Sequence, residues 1–108
     1  METLQVFRNK ELAGYLTQTD DRTFIFEYDD AYFNNPATPP VSLTLPKEKK
    51  VYTSQVLFPF FYNMLSEGFN RALQSRLLHI DEKDYFGLLK ETANYDTIGA
   101  VTLRPWKP

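Results

Sequence analysis

A proline set inside an aromatic run, Phe58-Pro59-Phe60-Phe61-Tyr62, constrains this chain more tightly than any other feature. Pro59 fixes φ near the helical value and has no N–H, so it suits the first turn of a helix, while Phe58 before it is pushed toward extended backbone. The run continues through Asn63-Met64-Leu65 and breaks at Ser66-Glu67-Gly68, after which Phe69-Asn70-Arg71 opens a polar helix. The expectation is a short helix from Pro59 to about Leu65. Gly68 supplies the positive φ that ends a helix, and Ser66 or Asn70 can cap the next one. Taken alone, the run is a hydrophobic helix plugged into a core.

Ahead of it, Leu4-Gln5-Val6-Phe7 and Ala13-Gly14-Tyr15-Leu16-Thr17 read as two strands. Asn9 tolerates the left-handed conformation of a hairpin turn, but Lys10 stands where glycine is easier, so the connection is expected to exceed two residues. After the polar turn Asp20-Asp21-Arg22, the segment Thr23 to Tyr28 alternates, placing Phe24, Phe26 and Tyr28 on one face of a third strand. Three strands at this spacing predict an antiparallel meander that a helical layer must cover. Residues 29–40 hold Pro36, Pro39 and Pro40, which exclude long regular structure, with one turn expected at Ala31-Tyr32-Phe33. Val41, Leu43 and Leu45 alternate with Ser42 and Thr44 up to Pro46, predicting a short edge or bordering strand. Lys47-Glu48-Lys49-Lys50 then reads as a solvated connector.

Beyond the central run, Leu73 and Leu77 lie four apart, so a helix over Asn70–Leu78 is expected to bury that stripe. Asp81 is placed as the N-cap of a third helix beginning near Glu82, with Ile80 and Tyr85 as a staple and Phe86, Leu89 and Ala93 on its apolar side. Ala100–Leu103 is a returning strand, and Arg104-Pro105-Trp106-Lys107-Pro108 an extended tail.

Composition narrows the chemistry. With 108 residues the chain is expected to be one domain, 1–108, able to bury a core yet too short to add a catalytic lobe. Twelve basic residues against fourteen acidic give a net charge of −2 and no basic stripe, which argues against direct nucleic-acid binding. Cysteine is absent, removing disulfides, thiolate metal sites and cysteine nucleophiles, and fitting a reducing cytoplasm. The first residues lack a signal peptide's basic and apolar regions, and no apolar run nears the roughly 20 residues that span a bilayer. The one histidine, His79, has no triad neighbours and suits a helix end. Asp29 with Asp30, and Asp81, Glu82 and Asp84, are carboxylate groups that turn chemistry and capping explain without a metal. No phosphate-cradling or kinase catalytic motif is present. No enzyme activity, cofactor or metal is expected. Aromatic residues make up 16 % of the chain, more than so small a core needs, so some rings are expected on the surface awaiting a partner.

Four pieces in order carry a resemblance. Phe61, Asn63, Leu65, Glu67, Gly68 and Arg71 match F-x-N-L-L-P-E-G-x-x-R; Asp84 to Leu89 follows D-x-F-x-L-L; Asp96 with Gly99-Ala100-Val101 follows G-x-D-x-x-G-A-V; and Ser42 to Pro46 is similar to S-L-S-L-P. Met64, Ser66 and Asn94 depart from these patterns. Together the pieces resemble the N-terminal subdomain of HipA-like kinases, the toxins of bacterial toxin–antitoxin systems. The resemblance implies an α+β fold: a small, mainly antiparallel sheet with about three helices packed on one face. It also implies a HipS-like antitoxin of the HipBST type, a free-standing subdomain that binds and inhibits a HipA- or HipT-like Ser/Thr kinase in trans. A HipB-like helix-turn-helix protein handles the DNA in such complexes. Alternatives are a structural subunit that stabilises a split kinase without inhibiting it, and a scaffold joining kinase to repressor.

The partner-binding residues this implies are Ser66, Glu67, Gly68, Phe69, Asn70 and Arg71, reaching toward the kinase cleft. Phe69 either folds back onto Tyr62 or projects outward as an anchor with a polar surround. Glu67 and Arg71 pair only if both lie on one helix. Trp106 is the other candidate anchor.

Overall fold

Alternation of apolar and polar residues builds a five-stranded antiparallel sheet, in a computed structural model that describes residues 2–63, 76–80, 84–92 and 101–106. The strands are β1 (Glu2–Arg8), β2 (Glu11–Gln18), β3 (Phe24–Tyr28), β4 (Val51–Ser54) and β5 (Val101–Trp106), in the spatial order β4-β3-β2-β1-β5. The helices whose bounds fall within the described residues are short: α1 (Asp30–Asn34), α2 (Pro59–Tyr62) and α3 (Tyr85–Thr92). The α+β class and the antiparallel sheet agree with expectation.

The register separates the two faces. Leu4 pairs with Leu16 and Pro105, Val6 with Gly14 and Leu103, and Leu16 with Phe26, so these residues share the covered face. Tyr32 of α1, Phe61 of α2 and Phe86, Leu88 and Leu89 of α3 close over it to form the core. Aromatic edges lock the layers: the Phe26 ring lies 4.8 Å from Tyr28 and 5.7 Å from Phe61, both in tilted or edge-on contact. Gly14 allows the strands to close here, because a Cβ at this position would stand 2.4 Å from the Glu27 carbonyl and 3.1 Å from the Phe26 ring.

The β1–β2 connection is tighter than expected. Arg8 pairs with Glu11 across a two-residue turn in which both Asn9 (φ 51°) and Lys10 (φ 67°) are left-handed. The right-handed twist of the flanking strands selects this mirror-image turn even without glycine. A bulge follows between Val6 and Phe7, where Ala13 is the extra residue and its carbonyl accepts from Asp29 N–H at 2.8 Å.

Residues 41–45 form no strand, a correction to the reading of that alternation. Leu45 N–H donates to the Ser42 carbonyl at 3.0 Å, so the chain turns. With Pro39, Pro40 and Pro46 around it, the segment has no ladder to join. Val41 and Leu45 point into the core while Leu43 points out, 93 % exposed. The edge strand is instead β4, beyond the lysine cluster. Within that cluster Lys47 and Lys50 are not merely solvated. The Lys47 ammonium donates to the Asn35 and Thr38 carbonyls at 2.7 and 2.9 Å, and Lys50 pairs with Asp30 and Glu27.

Pro59 does open a helix, as expected, but α2 ends at Tyr62 with Asn63 as its cap; Met64 and Leu65 lie outside the described residues. Residues 76–78 are helical and stop at His79, whose φ is 57°. Leu77 there is 68 % exposed rather than buried, because the helix ends at the periphery and only Ile80 after it packs on the core. Asp84 caps the described helix, its Oδ1 accepting from Gly87 N–H at 3.0 Å; Asp81, expected as a cap, lies outside the described residues, as do Glu82 and Ala93. Residues 104–106 are strand, not tail: Pro105 is tolerated because β5 is an edge strand.

Candidate partner-binding surfaces

Residues out of phase with the core alternation define the other side of the sheet. Across it, Trp106, Thr3, Thr17, Ile25 and Thr53 form one row and Arg104, Gln5, Tyr15, Glu27 and Val51 the next, with Phe7 and Leu12 paired beyond them. The Trp106 indole leans across β1 to reach the Tyr15 ring, 5.2 Å between centroids at 54°. Arg104 places its guanidinium 5.3 Å over the Phe7 ring. The Thr3 and Thr17 hydroxyls meet beneath at 3.0 Å. Trp106 is therefore held by a rigid strand and still 38 % exposed. Tryptophan, tyrosine and arginine on a polar ground have the makeup of an interface centre.

Of the residues expected to bind a partner, only Trp106 is placed by the described structure. Ser66, Glu67, Gly68, Phe69, Asn70 and Arg71 lie outside the described residues. Tyr62, onto which Phe69 was expected to fold back or not, meets Tyr85 edge-on at 5.1 Å. Phe7, Tyr15 and Arg104 were not singled out in the sequence. The available signal was phase: Phe7 and Tyr15 sit one residue off the Leu4, Val6 and Leu16 positions, and Arg104-Pro105-Trp106 has the two-residue spacing of one strand face.

On the covered side, the long connection between α1 and β4 is pinned by three tyrosines. Tyr32 OH donates to the Pro39 carbonyl and Tyr52 OH to the Pro46 carbonyl, both at 2.6 Å. The buried Tyr28 OH donates to the Leu45 carbonyl and accepts from Val41 N–H at 3.0 Å. Burial pushes the Tyr28 hydroxyl up to about 12 and raises that of Tyr32.

A cleft of about 640 Å³ opens between the β2–β3 turn, residues 55–57 and the start of α3. Phe24, Leu57 and Phe86 line it, with Glu2, Asp20, Arg22 and Asp84 among its polar groups. Two of these carboxylates have structural work: Glu2 pairs with Lys90 at 3.1 Å, and Asp84 caps α3. Among the described residues no group of three or more histidine or acidic side chains is placed to hold a metal ion. Asp29 is the N-cap of α1, accepting from Ala31 and Tyr32 N–H groups. No helix among the described residues is long and apolar enough to cross a membrane.

Comparison with known proteins agrees with this architecture. Residues 4–104 match the family model described as the HipA N-terminal domain. A solved structure, "N-terminal domain of HipA toxin", superposes with a TM-score of 0.74 at 28 % identity, covering 99 % of this chain and 94 % of that one. A Sinorhizobium fredii protein named "Putative kinase Y4mE" is 28 % identical over 105 residues, 97 % of this chain but 25 % of its own length. This chain thus spans about a quarter of that relative. A Haemophilus influenzae "Uncharacterized protein" is 32 % identical over 103 residues, which are 95 % of this chain and 92 % of that protein. The chain belongs to the HipA N-terminal domain family.

Proposed function

We propose that this protein is a regulatory subunit of the antitoxin kind, which binds a HipA-like Ser/Thr kinase in trans and inhibits it. The observation that carries the reading is the contrast between two relatives. The same domain forms a quarter of a protein named as a kinase and nearly all of a Haemophilus protein. A kinase lacking its own copy presents the surface against which such a domain packs, and a separate chain of this family has the matching shape. In this reading the segment Ser66 to Arg71 reaches toward the kinase cleft, and Trp106 with Tyr15 adds an aromatic contact from the open sheet face. The protein contributes binding, not chemistry.

The test is the autophosphorylation rate of the HipA-like kinase from the same genome, with and without this protein. Inhibition by wild type, lost in a folded Glu67→Ala, Phe69→Ala variant, supports the antitoxin reading. Trp106→Ala is expected to weaken binding by about 2 kcal/mol if the open face is part of the interface. Tight binding with an unchanged rate would leave a structural subunit instead, and the inhibitory mechanism would be withdrawn.

A further inference from the structure

We propose that Leu43 is an interface anchor, held out by the pinned loop to enter an apolar pocket on the HipA-like kinase. The choice of partner rests on the function proposed above; the choice of residue rests on the loop itself. A single exposed leucine is ordinary on a protein surface. This one is displayed by an elaborate local arrangement. The residues two before and two after it, Val41 and Leu45, are buried, and one buried hydroxyl, that of Tyr28, holds both of them by their backbones. Between these anchors the tip is braced again: the Ser42 and Thr44 hydroxyls meet at 3.0 Å, Thr44 N–H donates to Ser42 Oγ at 3.2 Å, and Leu45 N–H donates to the Ser42 carbonyl. The backbone that carries Leu43 is therefore ordered before any partner arrives, so docking it loses little conformational freedom. Ser42 and Thr44 supply a polar rim around the apolar tip.

The occupant is argued by area. A second copy meeting this one tip to tip would bury on the order of 200 Å² of leucine surface, far below the roughly 800 Å² per partner that a stable dimer needs. A kinase can engage other surfaces at once. The alignment with the Sinorhizobium kinase runs through nearly the whole chain, so in that relative the corresponding domain is tied to three quarters of a larger polypeptide. Leu43 emerges from the layer covering the sheet, whereas Trp106 lies on the open face, so the two anchors can be tested independently.

The experiment is calorimetric titration of the kinase from the same genome with wild type, Leu43→Ser, Leu43→Met and Val56→Ser. Val56 is an exposed apolar control, 69 % accessible and remote in sequence from the loop. Leu43→Ser is expected to leave the melting temperature unchanged and to weaken binding about 10- to 100-fold. Leu43→Met should retain most of the affinity, and Val56→Ser should stay within about twofold of wild type. Equal affinity for wild type and Leu43→Ser overturns the anchor while leaving the kinase-binding reading intact. Absence of wild-type binding overturns that reading and this one with it. If sedimentation shows wild type dimeric and Leu43→Ser monomeric, the occupant is a second copy and the assignment to the kinase is wrong.

Discussion

Lys10 occupies a left-handed position that an L side chain adopts at a cost of about 1–2 kcal/mol. Glycine removes that cost, so Lys10→Gly is expected to stabilise the domain by about 1 kcal/mol in urea unfolding, even though it deletes a charge and touches no core residue. Tyr28 makes the opposite case. Replacing it by phenylalanine leaves the buried Val41 N–H and Leu45 carbonyl without their partner, at about 1–3 kcal/mol. Its ionisation adds a pH dependence. Burial raises the hydroxyl from 10.0 to about 12, so the folded protein holds this proton more tightly than the unfolded chain does. The associated stability is complete below pH 10 and is lost as pH rises through 12. Unfolding measured between pH 9 and 12 should show a shallower alkaline decline in Tyr28→Phe than in wild type, with a remainder from Tyr32 and Tyr52, which are also raised.

At the level of elements, legibility followed the source of the signal. Strands β1 to β3 were readable because one buried face imposes a period of two that needs no knowledge of partners. Val41-Ser42-Leu43-Thr44-Leu45 carries the same period and is not a strand, since only tertiary structure decides whether an alternating segment finds a ladder. Conversely, Val51–Ser54 is a strand with little burial, an edge element that pairs with β3 alone and so leaves a weak pattern. The end of β5 was hidden by Pro105, a residue that reads as a breaker unless the strand is known to lie at an edge. Most of the open-face site shared this fate: Trp106 was visible as an unusual residue, but its neighbours Tyr15, Phe7 and Arg104 become a surface only once three strands align. Helix α3 shows how a boundary moves with a single cap. Asp84→Ala is expected to lose about 1 kcal/mol in thermal unfolding through release of the Gly87 N–H, whereas an N-cap at Asp81 would leave that substitution nearly neutral.

For the molecule as a whole, helices close one face of the sheet and, among the described residues, none covers the other, and the anchors proposed for binding lie on both sides of it. Between α1 and β4, three tyrosine hydroxyls fasten a proline-rich stretch to the body of the domain at separate backbone carbonyls, and the Lys47 ammonium ties the end of that stretch back to its beginning. Such a stretch is expected to come loose with the domain rather than by itself. Trypsin offered the lysines at 47, 49 and 50 must therefore wait for the domain to unfold, and cleavage there becomes a gauge of global stability rather than of loop motion. Lys10→Gly, at the distant β1–β2 turn, should slow this cleavage in proportion to the stability it adds. An unchanged rate would show that the loop opens by itself.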